Sequence, residues 1–186
     1  MNDRAERSKS MKKEVLISIK AVYENEDDRD VIELFTLGQY YKRDGNYCIS
    51  YEESEATGFE GSRTTLMVER EHRVTMQRKG AANSQLIVER GVRHQCHYDM
   101  GFGDMMVGVL GSRIKSSLTD SGGNLEVKYS LDINSQLASE NEMYIHIKER
   151  EKGRNGPLPR GKRGKSEENG EAPARFQAEG QSDLPV

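Results

Sequence analysis

TDSGGNLEVKYSLDINSQLASENEMYIHIKER, residues 119–150, opens on turn residues and then alternates apolar with polar side chains. Leu125, Val127, Tyr129, Leu131 and Ile133 fall on every second position, and so do Met143, Ile145 and Ile147. Successive side chains in a strand point to opposite faces, so each series builds one wall of a core. Thr119–Asn124 reads as a hairpin turn. The spacing then predicts one long strand over Leu125–Leu137, a turn over Ala138–Asn141 and a last strand over Glu142–Lys148.

The same two-residue period runs back to Lys13. Val15, Ile17 and Ile19 mark a strand over Lys13–Glu24, and the acidic run Asn25–Asp30 turns the chain into Val31–Tyr41, where Gly38 suggests a bulge or bend. Asp44-Gly45 favours a tight hairpin into Tyr47–Glu53. After a glycine-containing loop over Ala56–Ser62, strands are expected at Arg63–Arg70, His72–Arg78, Ser84–Glu89 and Val92–Tyr98. A glycine-rich corner, Asp99–Asp104, leads to Met105–Leu118, which carries Gly108 and Gly111. No window holds the i, i+3, i+4, i+7 spacing of a crossover helix, and parallel strands need such crossovers. The sheet is therefore expected to be antiparallel. About ten strands favour closing it into a barrel, which also removes exposed edges. A β-sandwich is the competing architecture; the glycines within strands favour the barrel, whose corners need sharp bends.

Composition separates this core from its flanks. The chain has 186 residues, 34% of them hydrophobic, with a mean hydropathy of -0.85. Much of that polarity lies after residue 150, where charge, Gly and Pro leave too few apolar groups to offset the entropy of ordering. The expected organisation is a flexible start over residues 1–11, a barrel over 12–150 and a disordered tail over 151–186. The net charge of -3 lacks the basic excess of a dedicated nucleic-acid binder. Arg160, Lys162, Arg163 and Lys165 form a local basic run, but Glu167, Glu168 and Glu171 follow at once, as in a solvated polyampholyte. The start of the chain has no apolar signal-peptide region, and no segment is apolar enough to span a membrane. A cytoplasmic location is expected, with Cys48 and Cys96 as buried, reduced thiols.

Several landmarks appear in order: Gly38-Gln39-Tyr40-Tyr41, Tyr51-Glu52-Glu53, Gly61-Ser62-Arg63-Thr64-Thr65-Leu66, Val74-Thr75-Met76-Gln77-Arg78-Lys79-Gly80, Tyr98-Asp99-Met100-Gly101-Phe102-Gly103 and Tyr129-Ser130-Leu131. In sequence and spacing over roughly residues 12–149 they resemble the YwiB-like family of small bacterial proteins of unknown function, placed in the calycin (lipocalin-like) superfamily. Asp99-Met100 stands where that family usually has a Thr-Pro-like step. The resemblance implies a cytoplasmic barrel of eight to ten strands and names no reaction.

Motifs that carry chemistry are sparse. His94-Gln95-Cys96-His97 gathers metal-capable groups, but His97 points away from the face shared by His94 and Cys96, and a closed zinc site needs four ligands. No Gly-x-Ser-x-Gly elbow raises any serine to a nucleophile. Glu52 and Glu53 alternate across the strand and cannot act as one acid-base pair. Gly101-Phe102-Gly103 lacks the rest of a dinucleotide fingerprint. No catalytic residue, metal site or cofactor is assigned, and an enzyme is the least favoured class. The residue that most needs explaining is Arg78, which shares a face with Val74 and Met76. Inside a barrel it must be paired, and Glu53 with the hydroxyls of Tyr51, Tyr98 and Tyr129 are partners of the right type. Arg78 is then either a strand-end group that snorkels to water, a structural ion pair, or a contact for a small ligand, which its forked donors would suit as an anion. Two functions follow: a barrel binding a small molecule at Arg78, Tyr51, Glu53, Tyr98 and Tyr129, or a filled barrel that engages a protein or RNA partner, with the tail as one route.

Overall fold

The computed structural model describes residues 11–99, 104–150 and 162–165. Ten strands form the body: β1 (Lys13–Glu24), β2 (Arg29–Arg43), β3 (Asn46–Glu52), β4 (Ser62–Glu69), β5 (Arg73–Gly80), β6 (Ser84–Glu89), β7 (Arg93–Asp99), β8 (Asp104–Ser116), β9 (Gly122–Ile133) and β10 (Gln136–Glu149). Each pairs antiparallel with the next, and β10 returns to β1 in the register Ile17↔Ile147, Ile19↔Ile145. The ring is closed, so the sandwich alternative falls away. The only helical element among the described residues is a 3-10 turn over Glu55–Thr57.

The alternation read from sequence is the inside-outside alternation of this barrel. Val15, Ile17, Ile49, Leu66, Val74 and Val127 point inward and are almost wholly inaccessible to water. Full burial of such a side chain contributes about 1.5–3 kcal/mol each, and the stripes meet in one cluster that includes Leu125, Met143, Ile145 and Ile147.

Two local expectations change. The β9–β10 hairpin turns at Asn134 and Ser135, with φ of 52° and 66°, rather than at Ala138–Asn141. Two consecutive positive φ values suit a two-residue hairpin turn; Asn tolerates that region, and Asp132 Oδ1 accepts the Ser135 amide at 3.1 Å. Ala138 instead falls where the register shifts between Leu137 and Ser139. Gly38 is no bulge: the ladders run through it unbroken, opposite Val15 and Tyr51. It is glycine because a Cβ there would lie 2.4 Å from Ile17 Cδ1 and 2.5 Å from the Ser50 carbonyl oxygen. Within the tail, a short strand, β11 (Lys162–Lys165), pairs antiparallel with Asp30–Glu33 of β2. The pairing has an evident opening, since β3 joins β2 only from Gly38 onward and leaves the earlier edge of β2 for another strand. The rest of that tail, the chain start through residue 10 and residues 100–103 of the glycine-rich corner lie outside the described residues.

One end of the barrel is covered. The Thr119–Gly122 turn between β8 and β9 leans across to β1, β2 and β3. Tyr40 donates its hydroxyl proton to the Thr119 carbonyl at 2.8 Å, and Tyr47 donates to Asp120 Oδ1 at 3.0 Å. Lys42 Nζ sits 2.6 Å from the same carboxylate, and Lys13 donates to the Asp120 carbonyl at 2.9 Å. The rings of Tyr40 and Tyr47 stack at 5.3 Å beneath this turn. The polar interior lies at the other end.

Candidate functional site

A row of inward residues crosses five strands near the end opposite the Thr119–Gly122 turn. Tyr51 of β3 faces Thr64 of β4, Thr64 faces Arg78 of β5, Arg78 faces Ser84 of β6, and Ser84 faces Tyr98 of β7. Each side chain points inward because its strand alternates, and the row is polar where the next row is Ile49, Leu66, Met76 and Leu86. Thr64, Ser84 and Arg78 are buried, with Arg78 only 9% exposed. Arg78 therefore does not snorkel into solvent.

Its partner is Glu53, the residue just past the end of β3. Arg78 donates from Nε at 3.4 Å and from Nη2 at 3.3 Å to Glu53 Oε1, and Thr64 Oγ1 donates to the same oxygen. The Glu53 backbone amide is held by the Ser62 carbonyl at 2.8 Å, which fixes the start of the following loop. That loop brings Phe59 against the flat face of the Arg78 guanidinium, 3.5 Å from carbon to ring centroid. A stacked ring shields one face of the cation while its edge stays free for hydrogen bonds. Among the described residues, Arg78 Nη1 and Glu53 Oε2 have no hydrogen-bond partner.

The pair borders a cavity of about 180 Å³ whose lining also includes Tyr51, Phe59, Tyr98 and Tyr129. All five residues expected from sequence, Arg78, Glu53, Tyr51, Tyr98 and Tyr129, thus meet at one place. Their arrangement is not a ring of hydroxyls around the guanidinium: Glu53 alone pairs with Arg78, while the tyrosines line the walls. Burial, then the Glu53 carboxylate, pushes the Tyr51 hydroxyl pKa up against an opposing pull from Arg78. Burial, then Tyr98, does the same for Tyr129. Both phenols remain neutral and able to donate at any physiological pH.

Phe59, Thr64 and Ser84 complete the site. Thr64 and Ser84 required the strand register before they could be placed beside Arg78, and Phe59 comes from a loop with no periodic signal. The neighbouring apolar wall, with Met76 and Met143, is the continuation of the core stripes. A cavity of this size matches a single substituted ring or a few waters, since about 150 Å³ accommodates benzene.

The other chemistry-bearing groups lie apart from it. His94 Nε2 is 2.8 Å from Glu89 Oε2, and His146 Nδ1 is 2.8 Å from Asn124 Oδ1 on the outer surface. No group of three or more metal-capable side chains occurs among the described residues. A broader depression of about 950 Å³ on the outer wall is lined by Lys20, Arg90, Arg113, Lys115 and Glu126, with Arg113 and Glu126 paired at 3.0 Å. It is open to solvent and holds no buried ion pair.

Three comparisons bear on the chain. The family model described as "Domain of unknown function (DUF1934)" matches residues 17–145. The chain is 26% identical over 131 residues to the "Uncharacterized beta-barrel protein YwiB" of Bacillus subtilis (strain 168), covering 70% of this chain and 90% of that protein. The crystal structure of the ywiB protein from Bacillus subtilis aligns with a TM-score of 0.67 at 22% identity, covering 75% of this chain and 94% of that one. At that identity the structural match speaks for a shared fold.

Proposed function

Because the chain belongs to the DUF1934 family, whose function is not established, we propose from its interior that it is a binding barrel for a small organic molecule, held at the Arg78 end rather than turned over. The observation that carries this reading is the Arg78–Glu53 pair. An ion pair with side chains only 10% and 2% exposed sits at the edge of a cavity, although apolar residues of similar volume would stabilise a barrel as well or better. Buried polar groups beside an apolar wall are how small-molecule sites orient their ligands. Tyr51, Tyr98 and Tyr129 supply hydroxyls, Phe59 and Met76 supply contact area, and the cavity volume sets the ligand at one ring or its equivalent.

The isolated pair lacks a nucleophile and a separate acid and base, which favours binding over catalysis. Two unpaired, buried cysteines support a reducing, cytoplasmic setting. The competing reading, recruitment of a protein or RNA by the tail, is supported only by the basic run at residues 160–165, and part of that run is engaged with β2.

Native mass spectrometry of the full chain purified from its own host tests the proposal. A stoichiometric small adduct is expected in the wild type and is expected to be lost in the double variant Arg78→Met/Glu53→Met, which removes both charges together and so leaves no unpaired one. An adduct retained at full occupancy by the double variant would place the ligand elsewhere, and a bare mass for the wild type would count against a resident ligand.

A further inference from the structure

The identity of the buried groups narrows the ligand class, resting on the reading that the cavity is a binding site. We infer that the site selects an uncharged planar ligand with a hydrogen-bond donor and acceptor side by side, of the carboxamide or cyclic-amide type, over carboxylates and over cations. An arginine in a barrel suggests an anion when read alone. Here Glu53 already neutralises it at 3.3 Å, and Thr64 adds a third donor to the same carboxylate oxygen. A carboxylate entering the cavity would meet Glu53 as well as Arg78. It would lose its hydration without gaining a net positive partner, and burying a charge on those terms is costly. A cation would meet Arg78 directly, and Glu142, another acid of the lining, is already held by Lys128 at 2.8 Å.

The pair's unused atoms have the opposite character. Arg78 Nη1 offers donors and Glu53 Oε2 offers an acceptor, and neither has a partner among the described residues. An amide edge presents the complementary acceptor and donor with no net charge. Phe59 lies flat on the guanidinium at 3.5 Å, and the tyrosines of the lining extend an aromatic surface suited to a planar group. The volume of about 180 Å³ admits one six-membered ring with a small substituent. Glu53 is on this view the residue that determines specificity, because it decides whether Arg78 presents a net charge.

Three ring compounds of nearly equal shape separate the classes: benzamide, benzoate and benzamidinium. Binding to the full-length protein is measured by NMR titration, with the Phe59, Tyr98 and Tyr129 resonances locating the site. The wild type is expected to bind benzamide at least about tenfold more tightly than either charged probe, a difference of about 1.4 kcal/mol. Glu53→Gln, which keeps the shape and removes the negative charge, is expected to reverse the order in favour of benzoate. A wild type that prefers benzoate or benzamidinium overturns the inference on ligand class and leaves the binding barrel standing; this comparison needs no variant to fold. If no probe moves the cavity resonances in either protein, the inference fails together with the reading of the cavity as a ligand site.

Discussion

Arg78 and Glu53 depend on each other more than the barrel depends on them. Removing one leaves the other buried without its counter-charge, so Arg78→Ala is expected to cost roughly 3–5 kcal/mol, whereas the double methionine variant is expected to be neutral or stabilising. Urea denaturation of the three proteins checks the ordering. Two glycines make a second contrast. A Cβ on Gly38 meets the Ser50 carbonyl oxygen at 2.5 Å, and the backbone cannot yield without parting the strands. A Cβ on Gly108 lies 2.2 Å from Arg93 Nη2 and from Asp132 Oδ2, the tips of side chains that can swing away. Gly38→Ala is therefore expected to cost about 1–3 kcal/mol. Gly108→Ala is expected to cost less than about 1 kcal/mol, losing only the two-pronged Arg93–Asp132 contact at the surface. At Cys48 and Cys96, burial pushes the thiols up, and Cys96 Sγ also accepts the Ile87 amide at 3.3 Å. Both are expected to resist alkylation at neutral pH and to react only in denaturant, as thiol labelling would read out.

At the scale of the elements, the ends of β1 match its alternating stripe, Lys13–Glu24, because a polar acidic turn follows it directly. The β9–β10 hairpin was hidden by the same rule. Leu131, Ile133 and Leu137 keep the same parity on either side of Ser135, so the stripe resumes in phase across a turn whose only signal is Asn134-Ser135. One polar residue in phase reads as a gap in a stripe rather than as a turn; the backbone makes the turn through two positive φ values. Ser135→Gly, which removes the Cβ cost of a positive φ but loosens the unfolded chain, is expected to stabilise the protein by less than about 1 kcal/mol, visible as a higher unfolding midpoint. The site was legible to a similar depth. Alternation placed Arg78 and Glu53 each on the inward side of its own segment, which needs only neighbours within a strand, and opposite charge made them candidate partners. That Glu53 takes the guanidinium alone while the tyrosines stand back depends on register between strands. Phe59 depends on the path of a loop, which no periodicity encodes.

For the molecule as a whole, surface carboxylates set the response to acid. Arg93 beside Asp132 holds that carboxyl below the usual range, and Lys128 does so for Glu142. A carboxyl whose folded pKa is depressed stabilises the fold above its unfolded pKa and loses that contribution as pH falls through the folded value. Stability is therefore expected to be flat near neutrality and to decline below about pH 4, which thermal melts across a pH series would record. The covered end with Tyr40, Tyr47 and Asp120 joins this decline, since Lys42 first and then Tyr47 hold Asp120 low as well. A last consequence follows from the closure of β10 onto β1. Every strand of the ring sits beside its neighbours in sequence, and the first and last strands are also neighbours, with Val15 opposite Glu149. Such a ring has no topological beginning: bridging Lys13 to Glu149 by a short linker and reopening the chain at Asn134-Ser135 would give a circular permutant with the same ten pairings, so strand order along the gene is one of several equivalent ways to write this barrel.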